Sequence, residues 1–183
     1  KNVLDRVQYF SDIGYAGYTE KENLRVFLEW SVYGKNGFGW KAIDENDVLV
    51  EISEALKICS SVVDVKGIRV FVFPTVDGFK IEKMNGVSGF SVWKNTILIN
   101  IYPTEKWKTA IKETVCHEVA HAIALNRLER RTLLDDIVFE GVAEHFKEAL
   151  IGGKSPWVTA INTGEIKNIL FDIKNKLNDS DNR

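Results

Sequence analysis

Cysteine is nearly absent from this chain. Cys59 and Cys116 are its only two, far apart and without a C-x-x-C pair, which excludes a disulfide framework and a thiolate metal site. Both fall within helical patterns and read as buried thiols. Proline and glycine are also sparse, 3 and 13 of 183 residues, so the chain is neither low-complexity nor fibrous. No uncharged apolar run approaches the roughly 18 residues that cross a bilayer, which excludes a membrane-spanning helix. An excess of one charge is missing too: 24 Lys and Arg face 26 Asp and Glu, for a formal net charge of −2. Without a basic surplus, nucleic acid is excluded as a partner. The first residues, KNVLDRVQYF, lack the apolar core of a signal peptide, which leans towards a cytoplasmic protein. Because Lys1 and not methionine stands first, an upstream segment and secretion stay open.

What remains is a chain of 183 residues, 45% hydrophobic and 27% charged, enough to close a core in a single domain over 1–183. Thr19 to Glu22 matches a capping box ahead of a helix over 20–33, and a loop follows at Gly34 to Gly39. Asp44 caps a second helix whose apolar face is Val48, Ile52, Ala55, Leu56 and Cys59; both helices are expected to back a sheet. β-Branched and aromatic runs at 68–73, 89–93 and 96–101 read as three strands, with room for a fourth before them. A long helix is predicted from Pro103 towards Leu128. A polar cluster at 126–131 interrupts the pattern before Thr132 to Asp135 opens another helix that stops at Gly152 and Gly153. Ser155 reads as the N-cap of a turn begun by Pro156, and a last helix covers 164–177. The chain thus divides into a helical part (1–62), strands followed by the motif helices (67–157) and a C-terminal helical part (158–178). The expected class is α+β, with a small, mostly antiparallel or mixed sheet of three or four strands packed on the motif helix.

That helix carries His117-Glu118-Val119-Ala120-His121. Residues four apart share a helix face, so both imidazoles can converge on one Zn2+ ion. Glu118 lies about 100° further round and can serve as general base towards a water on the metal. Glu140 follows His121 with 18 residues between them, enough for a turn and a returning helix whose carboxylate would complete a His2Glu set with one position open. Glu144, one turn on, is a candidate to orient a ligating histidine. His145 lies about 140° round the helix from Glu140 and is a weaker candidate for the cleft, as is Tyr102 for stabilising a developing oxyanion. Asp135 and Asp136 suit a helix start and read as structural. The same residues admit a non-catalytic module with structural zinc, or histidines that merely belong to the core.

HEVAH followed by FEGVAE resembles the gluzincin metallopeptidases, and the runs GVSGF, NTILINIYP and LLDDIVFEGVAEHF are similar to the YjaZ-type family of predicted zinc-dependent proteases over about 67–157. The resemblance implies a zincin-like fold, zinc held by His117, His121 and Glu140, Glu118 as the base, and a peptide or protein substrate. It also implies that a strand, either 96–101 or 89–93, borders the cleft and pairs with extended substrate. The metzincin pattern is excluded, since Ala124 and Arg127 stand where it requires glycine and histidine. No motif specifies the oligomeric state or the bond cut.

Overall fold

The computed structural model describes residues 43–125, 132–155, 158 and 161–179; the helix expected over 20–33, the loop at 34–39, the cluster at 126–131 and the start of the turn at Pro156 lie outside the described residues. The first helix, α1 (Glu45–Ser60), begins where the Asp44 carboxylate accepts from the Asn46 N–H at 2.8 Å, with Glu45 and Asp47 in the first turn. Those charges sit where unpaired N–H groups and the helix dipole favour them. Val48, Ile52, Ala55 and Cys59 are buried, the face read from the sequence.

Three strands follow: β1 (Arg69–Pro74), β2 (Val87–Trp93) and β3 (Thr96–Ile101). The sheet is mixed, in the order β1-β3-β2, with β1 parallel and β2 antiparallel to β3. β3 is buried along its whole length, which fits its near-continuous apolar run, since a strand covered on both faces has no polar side to present. Between β1 and β2 stands a short helix that the sequence pattern did not predict, α2 (Gly78–Lys83), capped by Asp77. Six residues are too few to display a helical period.

The central helix, α3 (Trp107–Ala124), packs against α1, β2 and β3 and against α4 (Leu133–Ile151). It starts at Trp107 and not at Pro103, because the Thr104 hydroxyl donates to the Asn85 carbonyl at 2.6 Å instead of capping a helix. α1 lies chiefly against α3, a correction to the expectation that it backs the sheet directly. The two thiols meet in this contact, Cys59 Sγ and Cys116 Sγ standing 3.6 Å apart with both residues fully buried. Above them Lys112 Nζ bridges Glu51 at 2.8 Å and Glu54 at 2.5 Å from α1.

The capping box that opens α4 is present as read: Thr132 Oγ1 accepts from the Asp135 N–H, and the Asp135 carboxylate accepts from the Thr132 N–H. Two further N–H groups of that end, Leu133 and Leu134, donate to the carbonyls of Asp179 and Leu177, so the C-terminal residues close the start of α4. α4 ends at Gly152, at φ 71°. The last helix, α5 (Thr163–Ile173), opens on a second capping box, Asn162 with Glu165, and tightens into a 3-10 turn at Lys174–Lys176. Among the described residues no helix is long and apolar enough to cross a membrane.

Candidate metal centre

α3 and α4 lie against each other, and the side chains that meet at their contact carry the chemistry. Glu140 Oε2 lies 3.2 Å from His121 Nε2 and 3.4 Å from His117 Nε2. One donor atom from each of these three residues falls within 4.8 Å of the other two. The ring centroids of His117 and His121 are 4.6 Å apart and nearly perpendicular, and His121 stacks on Phe139 at 4.1 Å. That stacking fixes the ring's plane, and the residue beside Phe139 on α4 is Glu140 itself.

Two imidazole nitrogens and one carboxylate oxygen form a donor set suited to a borderline divalent cation such as zinc, and three protein ligands leave a position free. The Glu140 carboxyl is held far below the usual carboxylate range by its hydrogen bonds with His117 and His121, so it offers an anion. Burial opposes a charge on His117, yet the contact with Glu140 and the nearby Glu118 and Glu144 raise its basicity. A cationic group at this point is therefore electrostatically welcome.

Glu118 is buried, and burial pushes its carboxyl above the ordinary range against the pull of His121 and His117. The buried carboxyl thus holds a proton more readily than it would in water. β2 holds it from the other side. Ser91 Oγ donates to the Glu118 carbonyl at 3.3 Å, and a Cβ built on Gly89 would lie 2.7 Å from Glu118 Cδ and 2.5 Å from Oε1. Only glycine lets the carboxylate lie against the strand.

Glu144 approaches His117 from behind, its Oε2 3.3 Å from Nδ1 but without the alignment of a hydrogen bond. Its other oxygen is heavily used: Oε1 accepts from Lys147 Nζ and from Ser155 Oγ, both at 2.7 Å, and more loosely from the Ser155 N–H at 3.3 Å. Burial would raise the Glu144 carboxyl, but the Lys147 and Ser155 bonds outweigh it and hold it below the usual range. Lys147 is 1% exposed, and its remaining bond goes to the Gly153 carbonyl at 3.3 Å. Neither Lys147 nor Ser155 was singled out from the sequence as part of this network. The Glu144-x-x-Lys147 spacing is the one available signal, and it is shared by countless exposed helix pairs.

His117, His121 and Glu140 border a cleft of about 280 Å³, which Glu144 and Lys147 do not reach. His117, Glu118, His121 and Glu140 form one wall, Gly89 to Ser91 of β2 another, and Met84, Thr114 and Phe139 help close it. Of the two strands proposed to border it, β2 does so; β3 is enclosed between β1 and β2. The structure brings neither of the weaker candidates to the cleft. His145 points to solvent, and Tyr102 leaves β3 with its N–H donated to the Gly86 carbonyl and is not among the lining residues. Asp135 is used in the cap, as read.

A family model described as predicted Zn-dependent protease (DUF2268) matches residues 49–183, beyond the stretch at 67–157 on which the resemblance rested. No curated protein and no solved structure matches the chain.

Proposed function

The chain belongs to the family of predicted Zn-dependent proteases (DUF2268), and from that premise we propose that it is a zincin-like, gluzincin-type metallopeptidase whose zinc would be held by His117, His121 and Glu140. The observation that carries this reading is the convergence of those three donor groups within 4.8 Å, in a cleft that also presents the Glu118 carboxylate. When bound there, zinc would supply Lewis acidity, polarising a peptide carbonyl and acidifying a water molecule.

The rest of the chemistry belongs to the chain. Glu118 takes the proton of the attacking water and passes it to the departing amine, its carboxylate packed against Gly89 in the wall of the cleft. Glu144 stands behind His117 and keeps the ring turned towards Glu140, the role that outer carboxylates serve at ligating histidines. Because Glu144 is already engaged by Lys147 and Ser155, it is poorly placed to close the site as a fourth ligand, which argues against a purely structural ion. β2 offers extended backbone along the cleft, suited to main-chain recognition of a peptide.

Elemental analysis of the purified protein tests the reading first. About one chelator-removable zinc per chain is expected, and zinc-dependent cleavage of an unfolded protein substrate that disappears in Glu118→Gln. A protein that takes up no zinc when supplied with it would overturn the reading.

A further inference from the structure

Three carboxylates face the cleft: Glu118, Glu140 and Glu113. The proposed chemistry uses the first two. Glu113 sits on α3 one turn before His117, so Glu113, His117 and His121 follow one another along a single face. It is partly buried, beside the Gly153 backbone, and among the described residues no side chain forms a hydrogen bond or ion pair with it within bonding distance. Burial pushes its carboxyl above the ordinary range and Glu144 adds to the rise; the Lys147 ammonium pulls the other way, but it is already bonded to Glu144 and to the Gly153 carbonyl. With a dication on the histidines, Glu118 and Glu140 are balanced, and Lys147 balances Glu144. Glu113 is left without a cation of its own: among the described residues no lysine or arginine lines this cleft, and Lys108 and Lys112, which share a neighbouring hollow with it, are paired with Asp47, Glu51 and Glu54.

From this we propose that Glu113 is a specificity determinant that binds the cationic side chain of a lysine or arginine next to the scissile bond. The inference rests on the peptidase reading and names the substrate class for that site. Distance decides between the two cations a peptide can offer. At about 1.5 Å of rise per residue, Glu113 lies about 9 Å along the helix from the midpoint of His117 and His121, and its side chain leans further towards the N-terminus. A free α-amino group is one Cα removed from the carbonyl being attacked and falls well short of that span. A lysine side chain reaches about 6 Å from Cα to its ammonium, and with the step from the carbonyl to Cα and an ion-pair contact of about 3 Å the total covers it. The remaining lining beside Glu113, Thr114 and Ser155 with Met84 and Phe90 across the cleft, offers hydroxyls and apolar surface to such a stem.

The test uses zinc-loaded protein and alanine-rich peptides, acetylated and amidated, that differ at one position: lysine, norleucine or glutamate, with a free-amine norleucine peptide as the fourth. Cleavage is followed as kcat/KM, and binding as fluorescence anisotropy in the Glu118→Gln background. Wild type is expected to prefer lysine over norleucine by about tenfold or more in both readouts. Glu113→Gln should bring that ratio to about one, and Glu113→Lys should turn the preference towards glutamate. A wild-type ratio near one, a ratio that Glu113→Gln leaves in place, or a preference for the free amine over lysine would each overturn the proposal. If no peptide is cut but the anisotropy ratio behaves as expected, the peptidase reading fails and the cation site stands. If peptides are cut without regard to charge, the peptidase reading stands and the cation site fails.

Discussion

Replacing Gly89 by alanine adds one methyl group against the side chain that the proposed chemistry can least spare. The new Cβ would stand 2.7 Å from Glu118 Cδ and 2.5 Å from Oε1, where carbon contacts settle near about 3.5 Å. Something must therefore yield by about 1 Å. Position 89 is held in register opposite Ile99 of the fully buried β3, and Glu118 is carried by a helix packed on three sides, so the carboxylate is the softest element. A 1 Å misplacement of a reacting group costs about 100-fold, and the overpacking itself about 1–3 kcal/mol of stability. The assay pairs kcat/KM on a cleaved peptide with zinc content and a urea unfolding curve. Gly89→Ala is expected to keep its zinc, because none of the three proposed ligands touches position 89, yet lose about 100-fold in kcat/KM. Shortening the obstacle provides the control: Gly89→Ala with Glu118→Asp should regain stability relative to the sum of the single changes. An alanine variant within about threefold of wild type at full zinc content would refute the claim that the strand sets the position of the base.

Four other outcomes follow from the same site. Glu118→Gln should bind zinc normally while losing about 100-fold to 10,000-fold in turnover, read from metal analysis and a progress curve on one sample. Glu140→Ala should lose the metal while staying folded, its side chain being 61% exposed. Zinc retained at one per chain would mean that Glu140 does not hold the third position. Chelation of wild type should lower the melting temperature, since an ion bound at about a thousandfold excess over its dissociation constant stabilises by about 4 kcal/mol; an unchanged melting curve would separate the ion from the fold. Lys147→Met strands the partly buried Glu144 anion and should cost about 3 kcal/mol by urea denaturation. Adding Glu144→Gln should recover much of that loss, and a single variant as stable as wild type would mean the ion pair carries no net weight.

The parts of this site that lie on one helix are open to a reader of the sequence. His117 and His121 share a face by arithmetic, and Thr132 announces α4 because its box satisfies N–H groups that any helix start leaves bare. Glu140 is nearly as legible, since the 18 residues between it and His121 allow one turn and a return. The rest depends on which surfaces touch. Lys147 reads as a solvated helix residue, yet it is buried with its ammonium on Glu144 and the Gly153 carbonyl. Ser155 looks like a helix cap but gives its hydroxyl to Glu144, a partner eleven positions away. The order β1-β3-β2 was equally hidden, because three apolar runs say which segments are strands and not which one lies in the middle.

The Glu144 carboxylate ties together residues that appear unrelated along the chain. One of its oxygens serves Lys147 and Ser155, and the other faces His117. Loss of the ammonium at 147 leaves a buried anion, and loss of the carboxylate leaves a buried cation, so each single loss costs more than the two together. Positions 144, 147 and 155 should accordingly exchange as a set among related chains, with a neutral, hydrogen-bonding or apolar trio replacing the charged one, while His117 stays in place. Glycine should likewise persist at 89 wherever glutamate stands at 118, because any Cβ there meets that side chain.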